Sequence, residues 1–82
     1  MDFYLFSVRS ITTAQRMQQV LERSGIRTEI RRAPAGLTQR GCSYALRVPA
    51  ARYKEALTLL KKTGMSPVGI FAHENGSYCE VK

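Results

Sequence analysis

Among 82 residues there are two thiols, Cys42 and Cys79, and one imidazole, His73. One histidine and two distant cysteines lack the close pairs of ligands that zinc and iron–sulfur sites use. The carboxylates Asp2, Glu22, Glu29, Glu55, Glu74 and Glu80 are scattered, with no pair set for acid–base work. No serine or threonine has a histidine or lysine partner marked by the sequence. The glycines follow neither a dinucleotide-binding nor a P-loop spacing. No cofactor and no metal is therefore expected, and no conventional enzyme. What remains is Cys42, in Arg40-Gly41-Cys42-Ser43-Tyr44, directly after a glycine-containing loop. A thiol reacts as thiolate, and nearby arginines or a helix N-terminus make the thiolate more available. Cys42 is the candidate nucleophile, with Arg9, Arg40, Gly41 and Ser43 as its setting. Cys79 is expected to be the less reactive thiol, because Glu80 beside it disfavours the thiolate.

The elements that must position Cys42 follow from periodicity. Phe3 to Val8 is a short, aromatic run apolar on both faces, which predicts a central strand. Ile11, Ala14, Met17, Val20 and Leu21 recur at helical spacing; Thr12 with Gln15 fits a capping box, and Gly25 fits a left-handed close, so the first helix is predicted over Thr12 to Ser24. Thr28 and Ile30 alternate with Arg27, Glu29 and Arg31 as a second strand. Ala33 to Gly41, with Pro34, Gly36 and Gly41, reads as a loop. Tyr44, Leu46 and Val48 mark a third strand that Pro49 ends. Tyr53, Ala56, Leu57 and Leu60 mark a second helix closed at Gly64, and Val68, Ile70 and Ala72 a fourth strand. Leu21 to Ile26 echoes Leu60 to Met65. Asn75-Gly76 between strand-like runs is a strong hairpin signal and predicts a fifth, edge strand, Ser77 to Val81.

Two strand–helix–strand halves in tandem predict an α+β, ferredoxin-like βαββαβ domain over residues 1–82: an antiparallel sheet with two helices on one face. The strand order is then fifth, fourth, first, third, second. Cys79 falls opposite Ala72, too far across the sheet for a disulfide with Cys42. Cys42 falls beside the end of the first strand and the N-terminus of the first helix, with Arg9 and Arg40 close by. Arg40 to Tyr44 loosely echoes an RNA-recognition motif, but strand parity opposes it. Cys42, Tyr44, Leu46 and Val48 share one face. Turning that face to water would bury Arg47 unpaired, which costs far more than burying leucine gains. Tyr44 should therefore face the helices.

The net charge is +7, with 44% hydrophobic and 23% charged residues. The composition is globular, and the excess charge favours acidic partners or simply solubility; the 13 Lys and Arg form no basic run, so nucleic acid is not the favoured partner. No signal-peptide pattern and no run of about 20 apolar residues is present, which points to a cytoplasmic, non-membrane protein with free thiols.

With Cys42 and its loop in view, the chain resembles a family of short bacterial proteins described as selenium/sulfur-carrier-like. The resemblance runs through the strand Tyr4 to Ser7, the helix start Ser10 to Ala14, and the helix end Leu21-Glu22-Arg23-Ser24-Gly25-Ile26. It continues through the Pro34-containing loop and Cys42 leading into Ala45-Leu46-Arg47-Val48. The family has Cys-Gly where this chain has Gly41-Cys42-Ser43, and no arginine follows Pro34 here. The resemblance implies a carrier: an accessible cysteine thiolate takes sulfur as a persulfide, or selenium as its analogue, from a cysteine-desulfurase-like donor and passes it to an acceptor protein. The alternative is a non-catalytic binding module, for nucleic acid or for a protein partner such as a second copy. It would use the open sheet face, expected to show Arg27, Arg31, Ala45, Arg47, Phe71 and His73.

Overall fold

The computed structural model describes residues 2–34, 36–37 and 41–81. It is an α+β arrangement of five strands and two helices: β1 (Phe3–Val8), α1 (Ile11–Arg23), β2 (Glu29–Arg32), β3 (Tyr44–Pro49), α2 (Tyr53–Lys62), β4 (Gly69–Glu74) and β5 (Ser77–Glu80). All pairings are antiparallel, in the order β2-β3-β1-β4-β5. β1 is central because both of its faces are apolar, whereas β2 and β5 are exposed along most of their length and lie at the edges.

Strand parity sets the core. Phe6 and Val8 of β1 and Leu46 and Val48 of β3 meet Ala14, Met17 and Leu21 of α1 and Ala56 and Leu60 of α2, all fully buried. Tyr44 packs against this cluster, on the helix side as its parity requires. Tyr4 stacks on Tyr53 at 3.8 Å between ring centroids, which pins the start of α2 to β1. The Arg52 guanidinium donates to Glu55 Oε1 at 2.7 Å in the first turn of α2, and this bond holds the Glu55 carboxyl below its usual range.

Both helices end alike, as their sequence echo suggests. Gly25 N–H bonds Glu22 O and Ile26 N–H bonds Leu21 O; Gly64 N–H bonds Lys61 O and Met65 N–H bonds Leu60 O. Gly25 and Gly64 sit at φ +79° and +74°, the left-handed residue that such an end requires. The start of α1 differs from the sequence reading. Ser10, not Thr12, is the N-cap, and its Oγ accepts the Thr13 N–H at 3.1 Å. Starting at Ile11 leaves only Arg9 and Ser10 between β1 and α1, and both Thr12 and Gln15 remain near water. The Asn75-Gly76 hairpin has positive φ at both residues, and Cys79 stands opposite Ala72 as expected. No helix among the described residues is long and apolar enough to cross a membrane.

Candidate functional site

Cys42 lies just before β3. Ala33 N–H bonds Ser43 O at 3.0 Å, so the β2–β3 pairing runs on past Arg32 and Tyr44 and leaves Cys42 level with Pro34. Continuing the β1–β3 register past Val8 and Tyr44 levels Cys42 with Ser10, the cap of α1. By extension of these registers the Cys42 backbone is level with Pro34 on one side and with Ser10 on the other. Of its expected neighbours, Arg9 and Ser43 are exposed, Gly41 is exposed at φ +76°, and Arg40 lies outside the described residues.

The accessibility that the carrier resemblance implies for Cys42 is not found. Cys42 is 1% exposed, whereas Cys79, on edge strand β5, is exposed; both are free. The cause is the same parity that turns Tyr44, Leu46 and Val48 toward the helices, since Cys42 is two residues before Tyr44. Cys42 is nevertheless not part of the contiguous apolar cluster. It is shielded at the entrance of β3, in a segment whose described glycines, Gly36 and Gly41, are both left-handed. Among the described residues no group of three His, Cys, Asp or Glu could hold a metal ion.

The face of the sheet away from the helices is only partly open. Arg27 and Arg31 are exposed, and Arg47, Phe71 and His73 are half-buried, but Ala45 is 1% exposed, contrary to expectation. Leu5 and Ser7, on the same face, are buried too. The loop accounts for this: it brings Gly36 and Leu37 over Ser7, Gly69 and Phe71, leaving a cavity of about 160 Å³. At the other end of the face, side chains line up across the strands. The Arg47 guanidinium carbon is 4.1 Å from the Phe3 ring centre, Phe3 stacks on His73 at 4.5 Å, and His73 lies 4.9 Å from Tyr78. His73 Nδ1 is 2.9 Å from Asp2 Oδ2. Sequence reasoning placed Arg47 and His73 here and missed Phe3 and Tyr78. The signals were the alternation Phe3, Leu5, Ser7 and the hairpin register His73 to Tyr78. His73, on β4, stacks on the Phe3 ring, and the Arg47 guanidinium, on β3, lies close to the same ring.

A family model described as "Putative Se/S carrier protein-like" matches residues 3–72, all but the first two and the last ten residues of the chain. The comparison with curated proteins and that with solved structures each gave no match.

Proposed function

The chain belongs to this Se/S carrier-like family, and from that premise we propose that it carries sulfur or selenium on the Cys42 side chain. The observation that carries the reading is where the family match stops. Residues 3–72 contain Cys42 and exclude Cys79, so the one thiol shared with the family's matched region is Cys42. The fold that serves it is read as ferredoxin-like with an added edge strand. In the transfer step the Cys42 thiolate attacks the terminal sulfur of a donor persulfide. The new Cys42 S–S bond forms as the donor S–S bond breaks, and the donor leaves as a thiolate; sulfur moves as a neutral atom and no outside oxidant is used. An acceptor thiol takes the sulfur by the same step. Selenium follows the analogous path. The partners are a protein donor and a protein acceptor in a reducing compartment such as the cytoplasm. Because Cys42 is buried, a local movement must expose the thiol before each transfer.

The test is incubation with a persulfide donor, glutathione persulfide or a loaded cysteine desulfurase, followed by mass spectrometry of intact protein and peptides. Wild type and Cys79→Ser should gain one sulfur on Cys42, and Cys42→Ser and Cys42→Ala should gain none. A serine hydroxyl at this buried position can lack a partner at a cost of about 1–3 kcal/mol, so the alanine variant guards against a fold effect and circular dichroism checks both. Loading of Cys42→Ala to the wild-type level would sink the proposal.

A further inference from the structure

The two helices run antiparallel. Arg52, the residue before α2, donates from Nη2 to Ser24 O at 3.4 Å and so ties the start of α2 to the end of α1. The Val68 N–H bonds Ser7 O at 2.8 Å, so the chain leaving α2 returns to the end of β1, after which α1 begins. The start of α1 and the end of α2 therefore share one end of the molecule, the end at which Cys42 precedes β3. Lys61 and Lys62 close α2, and Arg16 lies about 8 Å along the axis of α1 from Ile11. All three are exposed, and among the described residues their charged groups make no hydrogen bond, ion pair or ring contact. No carboxylate of the helices offsets them. Glu55 is in the first turn of α2, bonded to Arg52 at 2.7 Å, and Glu22 is in the last turn of α1, both toward the opposite end. Glu80 pairs across the hairpin with Phe71 and lies on the other face of the sheet. The first turn of α1 holds no acidic residue, so its N-terminal partial charge adds to that of the three cations.

A second observation is independent of charge. Ile11, the first residue of α1, is 41% exposed, and among the described residues only Tyr78, on β5, is another large hydrophobic so open to water. A single exposed apolar residue is ordinary, but this one stands at the cationic end of the helix layer. An apolar anchor with a polar rim is the anatomy of a protein interface. Nucleic acid suits the surface less well. The one aromatic residue of the helices, Tyr53, is half-buried and stacked on Tyr4, so the layer offers no open ring to a base. Ile11 would gain nothing against phosphates.

We infer that this end of the helix layer docks an acidic face of a partner protein, with Ile11 against an apolar side chain and Arg16, Lys61 and Lys62 facing carboxylates. Complementary charge of this kind raises the rate of encounter and fixes orientation, here toward the end of the molecule that holds Cys42. That the partner gives or takes sulfur rests on the carrier reading; the docking surface does not.

The experiment is an NMR shift titration of the full chain, carrying no sulfur, with two helical peptides of equal glutamate content. One has leucines among its glutamates and the other has alanines. The leucine peptide should bind more tightly, move signals at residues 11–16 and 61–65, and weaken as salt rises. Arg16→Ala, Lys61→Ala and Lys62→Ala should each weaken it about two- to fivefold. Ile11→Ala should remove the advantage of the leucine peptide. Arg23→Ala and Lys54→Ala take the same charge from the other end of the same helices and should leave binding unchanged. No binding, equal binding of the two peptides, or a loss from Arg23→Ala equal to that from Arg16→Ala would overturn the inference. So would a DNA duplex that displaces the leucine peptide at lower concentration, which would assign the surface to nucleic acid. Because no sulfur is involved, failed loading of Cys42 leaves the docking result standing, and failed docking leaves the loading result standing.

Discussion

A sulfur that is 1% exposed neither attacks nor is attacked until the chain around it moves, so the chemistry of Cys42 is governed by a local opening equilibrium. Gly41, the chain neighbour of Cys42, gives a handle on that equilibrium. Gly41 is at φ +76° with nothing within 4 Å of where a Cβ would stand. Alanine there meets no clash but carries the left-handed strain of an L-residue, about 1–2 kcal/mol. If opening relieves that strain, Gly41→Ala raises the open population by a factor of roughly 5–30. Cys42 should then label faster by that factor in native buffer, while Cys79 serves as an internal control with an unchanged rate. In wild type Cys79 should label first and Cys42 slowly, with the two converging in denaturant. Equal native rates, or a Cys42 rate indifferent to Gly41→Ala, would show that backbone opening at Gly41 does not govern access to Cys42. Parity alone made the inward direction of Cys42 legible in the sequence. Its burial was not legible, because local residue types mark Ala33 to Gly41 as a glycine-bearing loop without saying how the chain beside it packs.

At the scale of elements, what could be read depended on how local the determinant was. The two helix ends were legible, because Gly25 and Gly64 are each followed by an apolar residue that packs back. The hairpin was legible because Asn75 and Gly76 both tolerate positive φ. The start of α1 was ambiguous, since Ser10, Thr12 and Thr13 all carry capping hydroxyls. The tight connection from Val8 decides for Ser10, whose Oγ accepts from Thr13 N and lies 2.9 Å from Thr13 Oγ1. Ser10→Ala should therefore cost about 1 kcal/mol and lower Tm by about 4–8 °C for a domain of this size. Thr12→Ala, one of the exposed side chains of the first turn, should stay within about 0.5 kcal/mol. Paired urea melts settle the assignment, and a larger loss for Thr12→Ala than for Ser10→Ala would return the cap to Thr12.

For the whole molecule, one sheet separates two unequal apolar layers. The thick layer lies under α1 and α2 and follows from the alternation of β1 and β3. The thin layer lies on the other side, and the sequence hid it, because an antiparallel sheet commonly leaves its second face to water. Leu5 is the residue that distinguishes the two pictures. It is 2% exposed yet points away from the helices and stands outside the main cluster. Its cover comes from its register neighbours, Arg47 on β3 and Phe71 on β4. A long arginine stem and an aromatic ring can each shield a leucine while keeping their outer parts wet. Beyond Phe71, Leu37 closes the end of the face. On a bare sheet face, Leu5→Ala would cost well under 1 kcal/mol, as surface substitutions do. As a buried leucine it should cost about 2–5 kcal/mol. That is a large share of the roughly 4–12 kcal/mol expected for a chain of this length. Urea unfolding of Leu5→Ala beside Leu46→Ala, a core residue of the helix side, makes the comparison direct. Comparable losses would establish the second layer. A loss below about 1 kcal/mol for Leu5→Ala alone would mean that in solution Leu37 and the Arg47 stem leave that face open.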